Sequence, residues 1–242
     1  MQSKITQAVL LSAGFGTRLR PLTDTTPKAM LPLGGKPLLL WHIERLKSYA
    51  VSEFFINLFH LPETIRDYFG DGSKFGVKIN YYIETEIRGT AGGIREFAGK
   101  LRGDFFVCYG DVFNQVDFKK MTEYFYSKPE IIGMTVAGET DHPEDSDLAE
   151  VAADGQFTKI YPKPHKDLPA TYKAMNAAAF IFNERILKYI PANAYYEIDH
   201  ELLPDIILKG EKFYGYETKD YIKDIGTLER YKQVEEYISK LQ

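Results

Sequence analysis

The chain of 242 residues has a single cysteine, Cys108, so an internal disulfide is excluded and packing must hold the fold. Cys108 lies within Phe105-Phe106-Val107-Cys108-Tyr109 and reads as a small buried hydrophobe rather than a nucleophile. No apolar run approaches the ~20 residues that a membrane-spanning helix needs. No secretory h-region follows Met1-Gln2-Ser3-Lys4, and a cytoplasmic protein is expected. A large excess of one sign of charge is missing too: the net value is −4, with no basic block, which argues against a nucleic-acid surface. Internal repeats and low-complexity linkers are missing. The five histidines show no metal-ligand spacing. His42 falls in a helical stretch, and His60, His142, His165 and His200 are isolated, so structural or exposed roles are expected. No Ser/His/Asp order points to a hydrolase.

What the chain does have is an ordinary globular composition, 44% hydrophobic and 26% charged, and one unusual stretch. From Ala8 to Pro37 it runs AVLLSAGFGTRLRPLTDTTPKAMLPLGGKP. The apolar run Ala8-Val9-Leu10-Leu11 is short enough for a buried strand. Gly14-Phe15-Gly16 follows, where two glycines let the backbone turn and bring N–H groups close to a ligand. Thr17, Arg18 and Lys28 add a hydroxyl and two positive charges. Strand, glycine turn and cations together describe a polyphosphate cradle. A P-loop is excluded, because Gly34-Gly35-Lys36 is followed by Pro37. A dinucleotide fingerprint is excluded, because its third glycine would fall on Leu19.

The remainder alternates strand and helix. A helix is predicted from Pro37 through Ala50, strands at Glu53–Phe59 and Val77–Ile83, and a short helix at Pro62–Phe69. A further helix should run from Gly89 through Phe97 and Leu101, then a strand at Phe105–Tyr109, a helix at Asp117–Phe125 and a strand at Ile131–Ala137. This rhythm predicts an α/β fold: a Rossmann-like three-layer arrangement with a mixed, mainly parallel sheet and helices on both faces. Ligands in such sheets bind outside the carboxyl ends of the strands, and both the Gly14 turn and Asp111 sit at such ends. After about residue 138 the pattern changes. A hairpin is expected around Asp154-Gly155, then a strand at Met175–Phe182 and a helix to Ile190. His200–Leu208 should be helical with a kink or new start at Pro204. Short strands at Phe213–Tyr216 and Tyr221–Ile222 and a helix behind Thr227 complete the chain.

The pattern Gly14-x-Gly16-Thr17-Arg18-Leu19-x-Pro21-Leu22-Thr23, then Pro27-Lys28, Leu31-Pro32 and Lys36-Pro37, resembles the signature of the sugar-1-phosphate nucleotidylyltransferases. The resemblance extends over essentially the whole chain and is densest at 8–37, 105–112 and 222–228. It implies a single domain, with about 1–138 the nucleotide-binding half and about 139–242 the sugar-phosphate-binding half. It implies NTP and a sugar 1-phosphate as small-molecule partners, Mg²⁺ as cofactor, no membrane or nucleic-acid partner, and leaves a homodimer open. No hexapeptide repeat is found, so the β-helix domain of some relatives is not expected.

The resemblance also assigns roles. Arg18 and Lys28 would be catalytic, holding the triphosphate. Leu11, Ala13, Gly14, Gly16 and Thr17 would bind nucleotide with them, and Glu84, Gly89 and Thr90 would meet the base. Asp111, in Gly110-Asp111, and Asp224, in Asp224-Ile225-Gly226-Thr227, resemble the family's metal-binding pair. Lys163, Asn176 and Asp147 would face the sugar phosphate. Three departures fall there: Pro162 precedes Lys163 where the family has an acid, Asp147 stands where many relatives have glycine, and Ala178 replaces a glycine. GTP is favoured over UTP. The alternatives are a cytidylyltransferase acting on a non-sugar phosphate and a non-catalytic regulatory subunit that binds sugar nucleotide.

Overall fold

The computed structural model describes residues 5–140, 143–165 and 170–241; His142 and the side chain of Asn176 fall outside the described residues. The apolar runs become strands in which alternate side chains enter two separate cores. In β1 (Gln7–Ser12), Ala8 and Leu10 face one core while Val9 and Leu11 face the other. This period of two on a strand covered on both sides is why the run is continuously apolar. A short ribbon follows, β2 (Pro32–Leu33) and β3 (Lys36–Pro37), and then α1 (Leu38–Ser48). Next come β4 (Glu53–Leu58), α2 (Pro62–Phe69), β5 (Lys78–Ile83), α3 (Gly89–Arg95) and β6 (Asp104–Tyr109). β7 (Val112–Asn114), α4 (Phe118–Tyr126) and β8 (Ile131–Gly138) complete this part.

The hairpin β9 (Leu148–Val151) and β10 (Phe157–Tyr161) precedes the long β11 (Lys173–Asn183). A π-helical turn, Ile198–Leu202, leads into α5 (Leu203–Leu208), with Pro204 in its first turn where its missing N–H costs nothing. β12 (Lys212–Glu217), β13 (Ile222–Asp224) and α6 (Leu228–Ser239) end the fold. Thr227 caps α6, its hydroxyl accepting from Arg230 N at 3.2 Å.

Across the main sheet the order is β12, β8, β11, β6, β1, β4, β5. β6, β1, β4 and β5 are mutually parallel, β12 is parallel to β8, and β11 runs antiparallel to its three neighbours β6, β8 and β9, the last joining the β9–β10 hairpin to the sheet. The α/β, mainly parallel arrangement matches the sequence reading. Helices α1, α2 and α4 pack on one face and α3 and α5 on the other. β1 pairs with β4 on one side and β6 on the other. The connections diverge there, so the carboxyl end of β1 is the switch point at which such sheets bind ligands.

Two elements differ from the sequence reading. α3 stops at Arg95, short of Phe97 and Leu101, although both side chains are buried. The segment after β11 forms a 3₁₀ helix, Glu184–Tyr189, rather than an α-helix. In both places apolar residues seal the core without the repeated i→i−4 bonding that their spacing suggested.

Candidate active site

The glycine turn leaves β1 at the switch point. Gly16 has φ +65°, and a Cβ on it would lie 2.9 Å from Thr23 Cγ2, so only glycine fits without strain. Thr23 Oγ1 donates to the Gly16 carbonyl at 2.8 Å and holds the loop back on itself. Leu19 is fully buried in a third apolar cluster with Leu31, Leu33, Phe113, Ile225 and Val234. This anchor leaves Arg18 exposed on the rim of the cleft. Lys28, by contrast, is only 9% exposed, and its ammonium donates to Asp111 Oδ2 at 2.6 Å.

Asp111 comes from the end of β6, which lies tight against β1: a Cβ on Gly110 would sit 2.4 Å from Ser12 Oγ. Asp224 arrives by a separate route. β13 pairs antiparallel with β7, setting Asp224 opposite Val112, and Ile225 N donates to the Asp111 carbonyl at 3.1 Å. This small ladder brings the two acidic segments side by side. Asp224 Oδ1 accepts from Gly226 N at 2.8 Å and Oδ2 from Arg230 Nη1 at 2.7 Å. Burial alone would raise its pKa, but those two donors and the nearby charge of Lys28 hold it below the usual carboxylate range.

On the opposite wall, Ser12 N donates to Asn57 Oδ1 at 3.0 Å, and Asn57 Nδ2 donates to Glu84 Oε1 at 2.7 Å. Glu84 Oε2 accepts from Arg88 N at 3.0 Å. Burial pushes the Glu84 carboxyl up, against the pull of these donors. The neighbouring glycines serve packing as well as the cleft. A Cβ on Gly89 would meet the Tyr196 carbonyl at 2.6 Å, and one on Gly93 would meet Asn57 Nδ2 at 2.5 Å. Ala91 N and Gly92 N both donate to Tyr196 O, and Thr90 Oγ1 accepts from Ile198 N at 2.8 Å. Segment 195–198 is thereby docked on the glycine-rich turn.

A third wall follows from that docking. Tyr109 and Glu197 line the cleft, and the Tyr109 hydroxyl donates to Asp199 Oδ2 at 2.9 Å. Burial, and then the charge of Asp199, lift the Tyr109 phenol well above its ordinary value. Asp199 is itself pushed up to about 6, by burial and by the charge of Asp147. The cleft enclosed by these walls measures about 390 Å³, within the range of small-molecule sites.

Of the residues singled out in the sequence, Leu11, Ala13, Gly14, Gly16, Thr17, Arg18, Lys28, Glu84, Gly89, Thr90 and Asp111 all line this one cleft. Asp224 stands behind it through Gly226, which does line it. Asp147 and Lys163 are brought to each other, Lys163 N donating to Asp147 Oδ1 at 2.9 Å, but neither is among the lining residues. The backbone of Asn176 lies in β11 opposite Val136. Sequence reasoning missed Asn57, Tyr109, Glu197 and Asp199. Asn57 carried a signal, a polar residue inside the run Phe54-Phe55-Ile56-Asn57-Leu58; Glu197 and Asp199 carried none, being acids just ahead of the helix read from His200.

Fold and cleft define an α/β protein with a cleft at a sheet switch point, lined by cations and carboxylates. The chain belongs to the nucleotidyl transferase family, which it matches over residues 7–240. It is 31% identical over 230 residues to a mannose-1-phosphate guanylyltransferase of Mycobacterium tuberculosis, covering 92% of this chain and 61% of that protein. It is 32% identical over 244 residues to a UTP–glucose-1-phosphate uridylyltransferase of Synechocystis, covering 94% and 62%. The chain thus spans about three fifths of the length of these relatives. Among solved structures, HddC from Yersinia pseudotuberculosis complexed with GMP-PN superimposes with a TM-score of 0.78 at 24% identity, covering 97% of this chain and all of that one. A UDP-glucose pyrophosphorylase complexed with UDP-glucose gives 0.82 at 20% identity, covering 98% and 100%.

Proposed function

We propose that this protein is a sugar-1-phosphate nucleotidylyltransferase: it transfers NMP from an NTP to a sugar 1-phosphate and releases pyrophosphate. The observation that carries the reading is the convergence of Arg18, Lys28 and Asp111 at the carboxyl ends of β1 and β6, with Asp224 delivered beside them by β13. An oxygen of the sugar phosphate attacks the α-phosphorus as the bond to the pyrophosphate oxygen breaks. The demands on the protein are positioning and charge neutralisation. Arg18 and Lys28 meet the charge that grows on the departing pyrophosphate. Lys163, exposed and held by the Asp145 carbonyl at 3.0 Å and by Asp147, supplies the cation for the sugar phosphate.

The residues fit a divalent cation. Mg²⁺ takes one or two carboxylates and completes its shell with substrate phosphate and water; among the described residues no group of three or more acids, histidines or cysteines could enclose a metal by itself. Asp111 and Asp224 both lie around the Lys28 ammonium, so a positive charge already suits that position. When bound there the ion would neutralise phosphate charge. GTP is the favoured nucleotide and UTP the second. A carboxylate is an acceptor-only group, and Glu84 suits the adjacent N1–H and N2–H₂ donors of guanine better than the single N3–H of uracil. Pyrophosphate release across a panel of NTPs and sugar 1-phosphates tests this. GTP is expected to lead, with CTP and dTTP at least about tenfold slower in kcat/KM, a difference of about 1.4 kcal/mol. Release with CTP and a non-sugar phosphate alone, or with no pair, would replace the reading by one of its rivals.

A further inference from the structure

The glycine loop lines the cleft through Gly14, Gly16, Thr17 and Arg18, but Phe15 is not among the lining residues. Its exposed ring instead meets the segment that follows β4, edge-on to Phe59 with centroids 5.3 Å apart and tilted against His60 at 5.9 Å. His60 reaches the same loop by a second route. Its Nε2 lies 2.9 Å from the Thr23 carbonyl. That oxygen can only accept, so the proton sits on Nε2 and the ring donates. Thr23 is buried, and its own hydroxyl donates to the Gly16 carbonyl at 2.8 Å. The result is a relay, His60 to Thr23 to Gly16, that ends at the tightest point of the loop. Support from outside is needed there. A Cβ on Gly14 would meet nothing within 4 Å, and two glycines leave the chain many alternative conformations. Leu61, next after His60, has φ 49°, in the left-handed region that a leucine enters only where its surroundings impose it. Residues so held cluster at clamps and active sites, and this one directly follows His60.

We propose that His60 is a positioning residue for the glycine loop: through Thr23 it fixes the Gly16 carbonyl, and with it the direction of the loop N–H groups and of Arg18 towards a bound polyphosphate. The inference rests on the nucleotidylyl-transfer reading for the identity of that ligand. It gives a specific task to a histidine whose sequence context suggests only a structural or exposed role. A loop held in place before its ligand arrives loses little freedom on binding, which favours affinity and correct placement of the reacting atoms.

The test separates the two contacts of His60. His60→Phe keeps a ring against Phe15 and loses the donor; His60→Gln loses the ring and can place an amide N–H where Nε2 stood. Titration calorimetry with Mg²⁺ and tripolyphosphate on the intact protein reads the loop without base, sugar or turnover, and KM for GTP and for mannose 1-phosphate is read beside it. His60→Phe is expected to bind tripolyphosphate about tenfold more weakly and to raise KM for GTP by a similar factor, the weight of one lost hydrogen bond, with KM for mannose 1-phosphate within about twofold. His60→Gln should recover most of that loss. Thr23→Val removes the hydroxyl at nearly unchanged size and should match His60→Phe, and the double variant should be no weaker than either, because both break one relay. Wild-type tripolyphosphate affinity in folded His60→Phe or Thr23→Val would overturn the proposal, as would equal loss for both substrates or a His60→Gln protein as weak as His60→Phe. Should His60→Phe not fold, Thr23→Val decides the same question. If tripolyphosphate binding responds as expected while no NTP reacts with any sugar 1-phosphate, the positioning stands and the transfer reading falls.

Discussion

Two side chains show how burial sets chemistry at the residue scale. Lys28 is nearly enclosed, and its ammonium donates to Asp111 Oδ2 at 2.6 Å; in the proposed reaction its charge meets the departing pyrophosphate. Lys28→Ala is expected to lower kcat by about 10²-fold or more, the scale for losing one donor aimed at transition-state charge. A raised KM with unchanged kcat would reduce Lys28 to a binding residue. Asp199 makes a prediction about stability. Its carboxyl is pushed up from the ordinary 3.8 to about 6, so between roughly pH 4 and 6 the folded state holds a proton that the unfolded state has lost. Stability therefore falls as pH rises through that window, by up to about 3 kcal/mol. Asp199→Asn removes the titrating group and can still accept from Tyr109. Urea unfolding at pH 4 and pH 7.5 should show the variant gaining on the wild type at the higher pH. An equal difference at both values would mean that Asp199 carries no such burden.

Elements explain what the sequence could and could not disclose. The strands β1, β4 and β6 were legible because burial on both faces leaves an unbroken apolar run, and the glycine turn was legible because Gly16 has no tolerable substitute at φ +65°. α1, α2, α4 and α6 announced themselves through apolar spacing and end signals such as Asp117 and Thr227, which cap through Lys120 N and Arg230 N. A short strand was read at Tyr221–Ile222, at the start of β13, but β7 and its pairing with β13 were not legible. Three-residue strands have no period to read, and what stabilises them is tertiary: Phe113 and Ile225 buried against Leu19, Leu31 and Val234, and Arg45 donating to the carbonyls of Gln115 and Val116 at 2.6 Å. That ladder is nevertheless what joins the two acidic motifs. Gly226 is its tightest point, since a Cβ would fall 2.5 Å from Asp224 Oδ1 and 3.2 Å from Arg18 Nη2. Gly226→Ala should therefore shift a carboxylate and a cation together, lowering kcat/KM by about 10²-fold while thermal unfolding changes little. Normal kinetics in a folded Gly226→Ala variant would show that neither group needs its present position.

For the whole molecule, the fold's contribution is to gather groups that the chain holds far apart. Arg18 and Lys28 come from the first loop, Asp111 from the end of the central strand and Asp224 from the approach to the last helix. One apolar cluster, running from Leu19 through Phe113 to Ile238, ties those three regions into a unit. In the proposed function this unit serves one reaction through one shared cation. It is tested most directly by the activities of Asp111→Asn, Asp224→Asn and the double variant, measured as pyrophosphate release over a Mg²⁺ titration. Asparagine preserves size and most hydrogen bonding, so the fold should survive while the charge is lost. Each single variant is expected to lose most activity, excess Mg²⁺ should restore part of it, and the double variant should be scarcely worse than either, because residues that act as a unit are strongly non-additive. Losses that multiply in the double variant, with no response to Mg²⁺, would contradict a shared metal site.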